Sequence, residues 1–178
     1  MNIWVIMGTR PEAIKMSPVV QALQEVSDEV QVKVCLTAQH RELLDQVIYS
    51  FNLPVDYDLN IMTPGQTLVG ITSRVLEGLS LLFSENKPDT ILVHGDTTTT
   101  LSAGLAGYYQ QIPIGHVEAG LRTYDKYHHF PEEMNRRLVD AMSDFLFAPT
   151  MQAKRNLLSE NIEEHKIIVT GNTGIDAL

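Results

Sequence analysis

Six short apolar runs rich in β-branched residues, at 2–7, 31–37, 90–94, 113–117, 144–148 and 166–170, alternate along the chain with longer segments of helical spacing. That alternation restricts the fold more than any other feature. Parallel strands need crossover connections of a dozen or more residues, and such crossovers are right-handed. The pattern therefore predicts an α/β, Rossmann-like domain: a doubly wound, mostly parallel sheet with helices on both faces. Helices are expected from Pro11 onward and at 42–51, 66–83, 98–109, 131–142 and 151–160. Pro18 is expected either to kink the first helix or to mark a second start capped by Ser17. Pro88, Pro113 and Pro149 are expected to punctuate strand starts, and 52–65 and 123–130 read as irregular loops of functional length.

Composition narrows the partners. The 13 Lys and Arg against 22 Asp and Glu leave a net charge of −9. Polyanions bind basic surfaces through counterion release, so neither nucleic acid nor an anionic membrane is expected as a partner. A small anion is compatible with such a chain where cations gather locally. With 178 residues, 44% of them hydrophobic, one domain with its own core is expected. The single Cys35 can form no internal disulfide and reads as a buried hydrophobe. The start lacks a secretory pattern, and no run approaches the roughly 20 apolar residues of a spanning helix, so a cytoplasmic protein is expected. His94, His116, His128 and His129 lack the HxxxH or Cys spacing of a zinc site, and no metal is expected.

Each of the first runs is followed at once by polar residues: Gly8-Thr9-Arg10, then TAQHR at 37–41, His94-Gly95-Asp96-Thr97, and Glu118-Ala119-Gly120-Leu121-Arg122. In a parallel sheet all carboxyl ends lie on one edge, where open α/β sheets bind ligands, so topology brings these clusters to one rim. Gly8-Thr9-Arg10-Pro11 reads as an anion-binding turn, with free amides at a helix start and a guanidinium beside them. It is neither GxGxxG nor GxxxxGK[ST], which removes the dinucleotide and P-loop readings. Its bland alternative is a βα turn carrying a surface Arg10 and a solvated Lys15. Asp96 reads either as a ligand contact or as the cap of the helix after it. Glu118 follows a strand buried on both faces and needs a partner, for which Arg122 is a candidate. Glu132 and Glu133, taken alone, suit a helix start.

These blocks, GTRPEAIKM at 8–16, TAQHR at 37–41, VHGDTTTT at 93–100, HVEAGLRT at 116–123, PEE at 131–133 with NR at 135–136, and TGNT at 170–173, closely resemble the bacterial non-hydrolysing UDP-N-acetylglucosamine 2-epimerases. The resemblance implies the first half of a glycosyltransferase-B-type two-domain fold. Residues 1–170 would form the amino-terminal Rossmann-like domain, and 171–178 would begin the connection to a second domain. It implies interconversion of UDP-GlcNAc and UDP-ManNAc through loss and re-addition of UDP, with no cofactor and a homodimeric full-length protein. Carried over by position, the acid/base carboxylates fall on Asp96, Glu118 and Glu132, and substrate contacts on Arg10, Lys15, Arg122 and His94. A regulatory site for a second UDP-GlcNAc would use Gln39, although position 42 is Glu where some members have Gln. The isolated chain is expected to fold but not to turn over. A hydrolysing relative that releases ManNAc and UDP, and a non-catalytic sugar-nucleotide-binding module, remain open at this stage.

Overall fold

A computed structural model describes residues 1–26, 29–38 and 41–178, with the side chains of Arg41 and Glu42 excepted. The elements run β1 (Asn2–Met7), α1 (Arg10–Val26), β2 (Gln31–Leu36), α2 (Arg41–Ser50), β3 (Tyr57–Asp58), α3 (Leu68–Glu85), β4 (Thr90–His94) and α4 (Thr98–Tyr109). They continue with β5 (Ile114–Val117), α5 (Glu132–Met142), β6 (Phe145–Ala148), α6 (Met151–Ser159), β7 (Ile167–Val169) and α7 (Thr173–Asp176). The described strands form one sheet in the order β3-β2-β1-β4-β5-β6-β7, every pairing parallel. The chain winds outward from β1 in one direction, then returns beside β1 with β4 and winds the other way. The β1–β4 boundary is thus the switch point, where a crevice opens at the carboxyl ends.

The strands read as continuous apolar runs because both faces are covered. Along β1, Ile3, Val5 and Met7 pack with Met16 and Val20 of α1 and Leu44 of α2. Trp4 and Ile6 point the other way, onto Val75, Leu79 and Phe83 of α3 and Ala103 of α4. A smaller cluster of Leu146, Ala148, Ala153, Leu157 and Ile167 seats α6 against the far edge. Cys35 is buried in this core, and burial, aided by Asp58 and Asp56, pushes its thiol up to about 12. No described helix is long and apolar enough to cross a membrane.

Some expectations are corrected. The helix from Arg10 to Val26 is continuous through Pro18, and Ser17 is no cap, since its buried hydroxyl donates to the Ala13 carbonyl at 2.6 Å. Pro149 lies after β6, just ahead of Thr150, which caps α6. The stretch 52–65 contains β3, a two-residue strand on Cys35 and Leu36. A short 3-10 turn at Glu164–Lys166 and the helix α7 were not expected either. Each of these elements is too short to carry a periodicity, and is fixed by what it packs against.

Candidate active site

The switch point is built first by Gly8. A Cβ there would lie 2.1 Å from Thr37 Oγ1 and 2.4 Å from Thr99 Oγ1, so only glycine lets the β1 exit meet the end of β2 and the start of α4. The amides expected to hold an external anion are already occupied. Gly8 N and Thr9 N donate to Glu12 Oε2 at 2.8 and 2.7 Å, while Thr97 and Thr100 hydroxyls meet Glu12 Oε1 at 2.5 and 3.0 Å. The anion at this turn is the chain's own. Burial pushes the Glu12 carboxyl above its ordinary range despite these donors. Thr9-Arg10-Pro11-Glu12 fits the capping-box spacing, in which the acid reaches back to the first amides, and that signal could have revealed it. Arg10 itself is exposed and has no partner among the described residues.

At the end of β4, Gly95 adopts φ +70° and Asp96 follows. Thr97, not Asp96, caps α4, accepting from Thr100 N at 3.1 Å. The Asp96 carboxylate is held from α5: Arg136 donates to it at 2.6 Å, and Asn135 donates to the Asp96 carbonyl at 2.8 Å. His94 is 4% exposed, and its Nε2 lies 3.6 Å from Glu118 Oε2 with no hydrogen bond among the described residues. Burial, helped by the charges of Lys15 and His116, pushes its pKa down to about 3, so the ring is neutral.

At the end of β5, Glu118 sits at φ +70°, a conformation that costs a non-glycine residue roughly 1–3 kcal/mol and marks a geometry imposed by its surroundings. Both Glu118 N and Ala119 N donate to the Phe147 carbonyl at 3.1 Å, which fixes the turn. The Glu118 carboxylate is ion-paired with Lys15, not with Arg122. Lys15 is therefore not a solvated surface residue. Gly120 follows at φ +84°, where a Cβ would lie 2.5 Å from the Ala153 carbonyl.

Glu132 and Glu133 share a helix start but face different surroundings. Glu133 is fully buried and accepts from Thr123 N at 2.9 Å, Thr123 Oγ1 at 3.0 Å and Tyr124 N at 3.3 Å. Burial alone would raise its carboxyl, yet these donors and Arg136 hold it below the usual range. Glu132 instead lines a pocket of about 300 Å³ together with Thr9, Pro11, Asp96, Thr97 and Asn135. Its Oε2 is buried and unpartnered among the described residues.

The structure thus brings Asp96 and Glu132 into one pocket and sets His94, Glu118 and Lys15 together beside it. Arg122 stands apart from the expected substrate contacts: its buried side chain donates to Glu160 at 2.8 and 2.7 Å and reaches Asp140 at 2.8 Å. Gln39 lies outside the described residues. Arg136 and Asn135, one helical turn beyond Glu132, were not singled out as site residues, although their i+3 and i+4 spacing from Glu132 puts them on the same helix face.

Residues 21–178 match the family described as UDP-N-acetylglucosamine 2-epimerase. A UDP-N-acetylglucosamine 2-epimerase from Yersinia pestis is 58% identical over 178 residues, which are 100% of this chain and 47% of that protein. The crystal structure of the Neisseria meningitidis UDP-GlcNAc 2-epimerase bound to UDP-GlcNAc superposes with a TM-score of 0.95 at 56% identity, covering 99% of this chain and 48% of that one. The Methanocaldococcus jannaschii enzyme in complex with UDP-GlcNAc and UDP superposes at 0.93 with 42% identity, over 99% and 48%. The chain spans about half the length of the curated relatives it matches. A lipopolysaccharide outer core galactosyltransferase, 13% identical with a TM-score of 0.68 over 46% of its length, shares the fold alone.

Proposed function

The chain belongs to the UDP-N-acetylglucosamine 2-epimerase family, and from that premise we propose that it supplies the amino-terminal half of a cytoplasmic enzyme interconverting UDP-GlcNAc and UDP-ManNAc. Residues 1–170 form the domain in this reading, and 171–178 lead into the remaining half. The observation that carries it is the pocket at the switch point, where the buried Glu132 Oε2, unpartnered among the described residues, shares one cavity with Asp96.

The chemistry accounts for such an arrangement. The sugar's C2 has no adjacent carbonyl, so its proton is hardly acidic, and the barrier falls when UDP departs from C1 as that proton is removed. The C2–H electrons become the C1=C2 bond of 2-acetamidoglucal, and the C1–O electrons leave on UDP. Re-addition with protonation on the opposite face inverts C2. Two proton carriers on opposite faces are required, with cations for the departing diphosphate. Asp96, Glu118 and Glu132 are the proton carriers and sugar contacts in this proposal. Arg10, exposed at the rim and without a partner among the described residues, meets the diphosphate. Lys15 orients Glu118, and its side chain, 29% exposed, stays open to an incoming phosphate. His94 offers a neutral imidazole beside Glu118. Arg122 acts from below, through Asp140 and Glu160, without touching substrate.

A homodimer of the full-length protein belongs to the same proposal, with exposed apolar side chains such as Tyr108 and Tyr109 available for contact. Light scattering of the full-length form tests it. For the activity, the chain can be fused to the remaining half of the Yersinia pestis relative. Asp96→Asn and Glu118→Gln in that chimera are each expected to lower epimerisation by about a hundredfold or more, since positioned acid/base groups contribute roughly 10²–10⁴. Rates near the parent would refute the assignment.

A further inference from the structure

One buried cluster outside the proposed substrate contacts ties the two working turns together. His116, in β5, has no solvent exposure. Its Nε2 lies 2.7 Å from the Gly95 carbonyl and its Nδ1 2.6 Å from Asp140 Oδ1 on α5. A carbonyl oxygen can only accept, so Nε2 carries a hydrogen. The other Asp140 oxygen receives Gly120 N–H at 3.2 Å and lies 2.8 Å from Arg122 Nη2. A carboxylate surrounded by an amide and a guanidinium is stabilised as the anion, and an anion facing Nδ1 can only accept there too. Nδ1 must then carry a second hydrogen.

We propose that His116 is held as an imidazolium ion-paired to Asp140, and that this pair is the positioning element fixing the Asp96 and Glu118 turns relative to one another. The positioning half rests on the function proposed above, whereas the protonation half does not. One ring nitrogen pins the peptide between Gly95 and Asp96, while Asp140 pins Gly120, two residues past Glu118. The helix that supplies Asp140 also supplies Glu132 and Arg136, and the three recur at intervals of four along one face of α5. A displacement of that face would therefore move the contacts to Asp96, Gly120 and the pocket together.

The charged groups around His116 agree with this state. Asp140 and Arg122 face it from α5 and from the loop after β5, and Glu160 completes the Arg122 pairing. On the β4 side lies His94, then Glu118 and Lys15. The positive charge of His116 is one of the causes that keep His94 neutral. A buried ion pair persists where further hydrogen bonds satisfy its remaining atoms, and here both ring nitrogens and both carboxylate oxygens have partners.

The test is nitrogen-15 NMR of the histidine rings of this chain, with the His116 signals assigned by backbone-to-ring correlations in the parent. Both ring nitrogens are expected to carry hydrogen in the folded chain, one facing the Gly95 carbonyl and one facing Asp140. In Asp140→Asn the ring is expected to become a neutral tautomer with one proton. In the active chimera Asp140→Asn is expected to lower kcat by about 10- to 100-fold, the range for residues that orient a working group, with KM changed less than about threefold. A singly protonated His116 in the folded parent chain would overturn the proposal, and this reading needs no variant to fold. An Asp140→Asn chimera with the parent kcat would overturn the positioning role. A parent chimera that fails to epimerise would instead refute the functional reading, with the NMR result standing on its own.

Discussion

Replacing His94 by Asn removes a group whose neutrality is imposed by the fold, and the consequence can be worked out from the structure. The ring is 4% exposed, and burial together with Lys15 and His116 pushes its pKa from the ordinary 6.5 down to about 3. Above pH 6.5 both the native and unfolded chains carry neutral His94, so its contribution to stability is fully present. As the pH falls below that value the unfolded chain takes up a proton that the native chain refuses, and stability is lost at about 1.4 kcal/mol per pH unit. Between about pH 6.5 and pH 5 the loss is ~2 kcal/mol, continuing until the native ring titrates near 3. His94→Asn has no such proton to bind, and the other ionisable groups are common to both proteins. Urea unfolding followed by circular dichroism across this range should therefore show the parent's stability falling toward the variant's by ~2 kcal/mol. A difference that stays constant within about 0.5 kcal/mol would refute the reasoning. It would mean that Glu118, 3.6 Å away, receives a native imidazolium and that His94 is not held neutral.

Gly8→Ala drives a methyl into the Thr37 and Thr99 hydroxyls, at 2.1 and 2.4 Å, and is expected to cost about 1–3 kcal/mol. At roughly 2–4 °C per kcal/mol for a chain of this size, the melting temperature should fall by several degrees, and an unchanged value would refute the close approach. Glu12→Gln removes a carboxyl whose folded pKa is raised. The parent's advantage from that group is present below its ordinary range and lost as pH rises, so the parent-to-variant stability gap should shift toward the variant between acid and neutral pH. A shift toward the parent would show that the four donors, not burial, govern Glu12. In the chimera Arg10→Ala should weaken UDP binding by about 10- to 100-fold by calorimetry, the worth of a charge-assisted hydrogen bond. Unchanged affinity would return Arg10 to a plain surface residue.

The parts of this molecule that were legible in the sequence are those governed by repetition. Strands buried on both faces, such as β1 and β4, appear as unbroken apolar runs, and their limits at Asn2–Met7 and Thr90–His94 agree with the pattern. Once the sheet is parallel, topology alone collects Gly8, His94 and Glu118 on one edge. What was not legible depends on neighbours distant in sequence. Glu132 and Glu133 are chemically identical, and only the phase of α5 against the 118–131 loop sends one to the pocket and the other into Thr123 and Tyr124. Arg122 lies among rim residues in sequence, yet Asp140 and Glu160 draw its guanidinium into the interior. Asp96 yields the cap of α4 to Thr97 because Arg136, forty residues on, holds its carboxylate.

Elimination and re-addition of UDP is tested most directly by turning over UDP-GlcNAc with the chimera in deuterated water and examining C2 of the sugar by NMR. UDP-ManNAc carrying deuterium at C2 is expected, with deuterium appearing also at C2 of recovered UDP-GlcNAc as the reaction reverses. UDP-ManNAc that retains the original C2 proton, or release of free ManNAc with UDP, would contradict it.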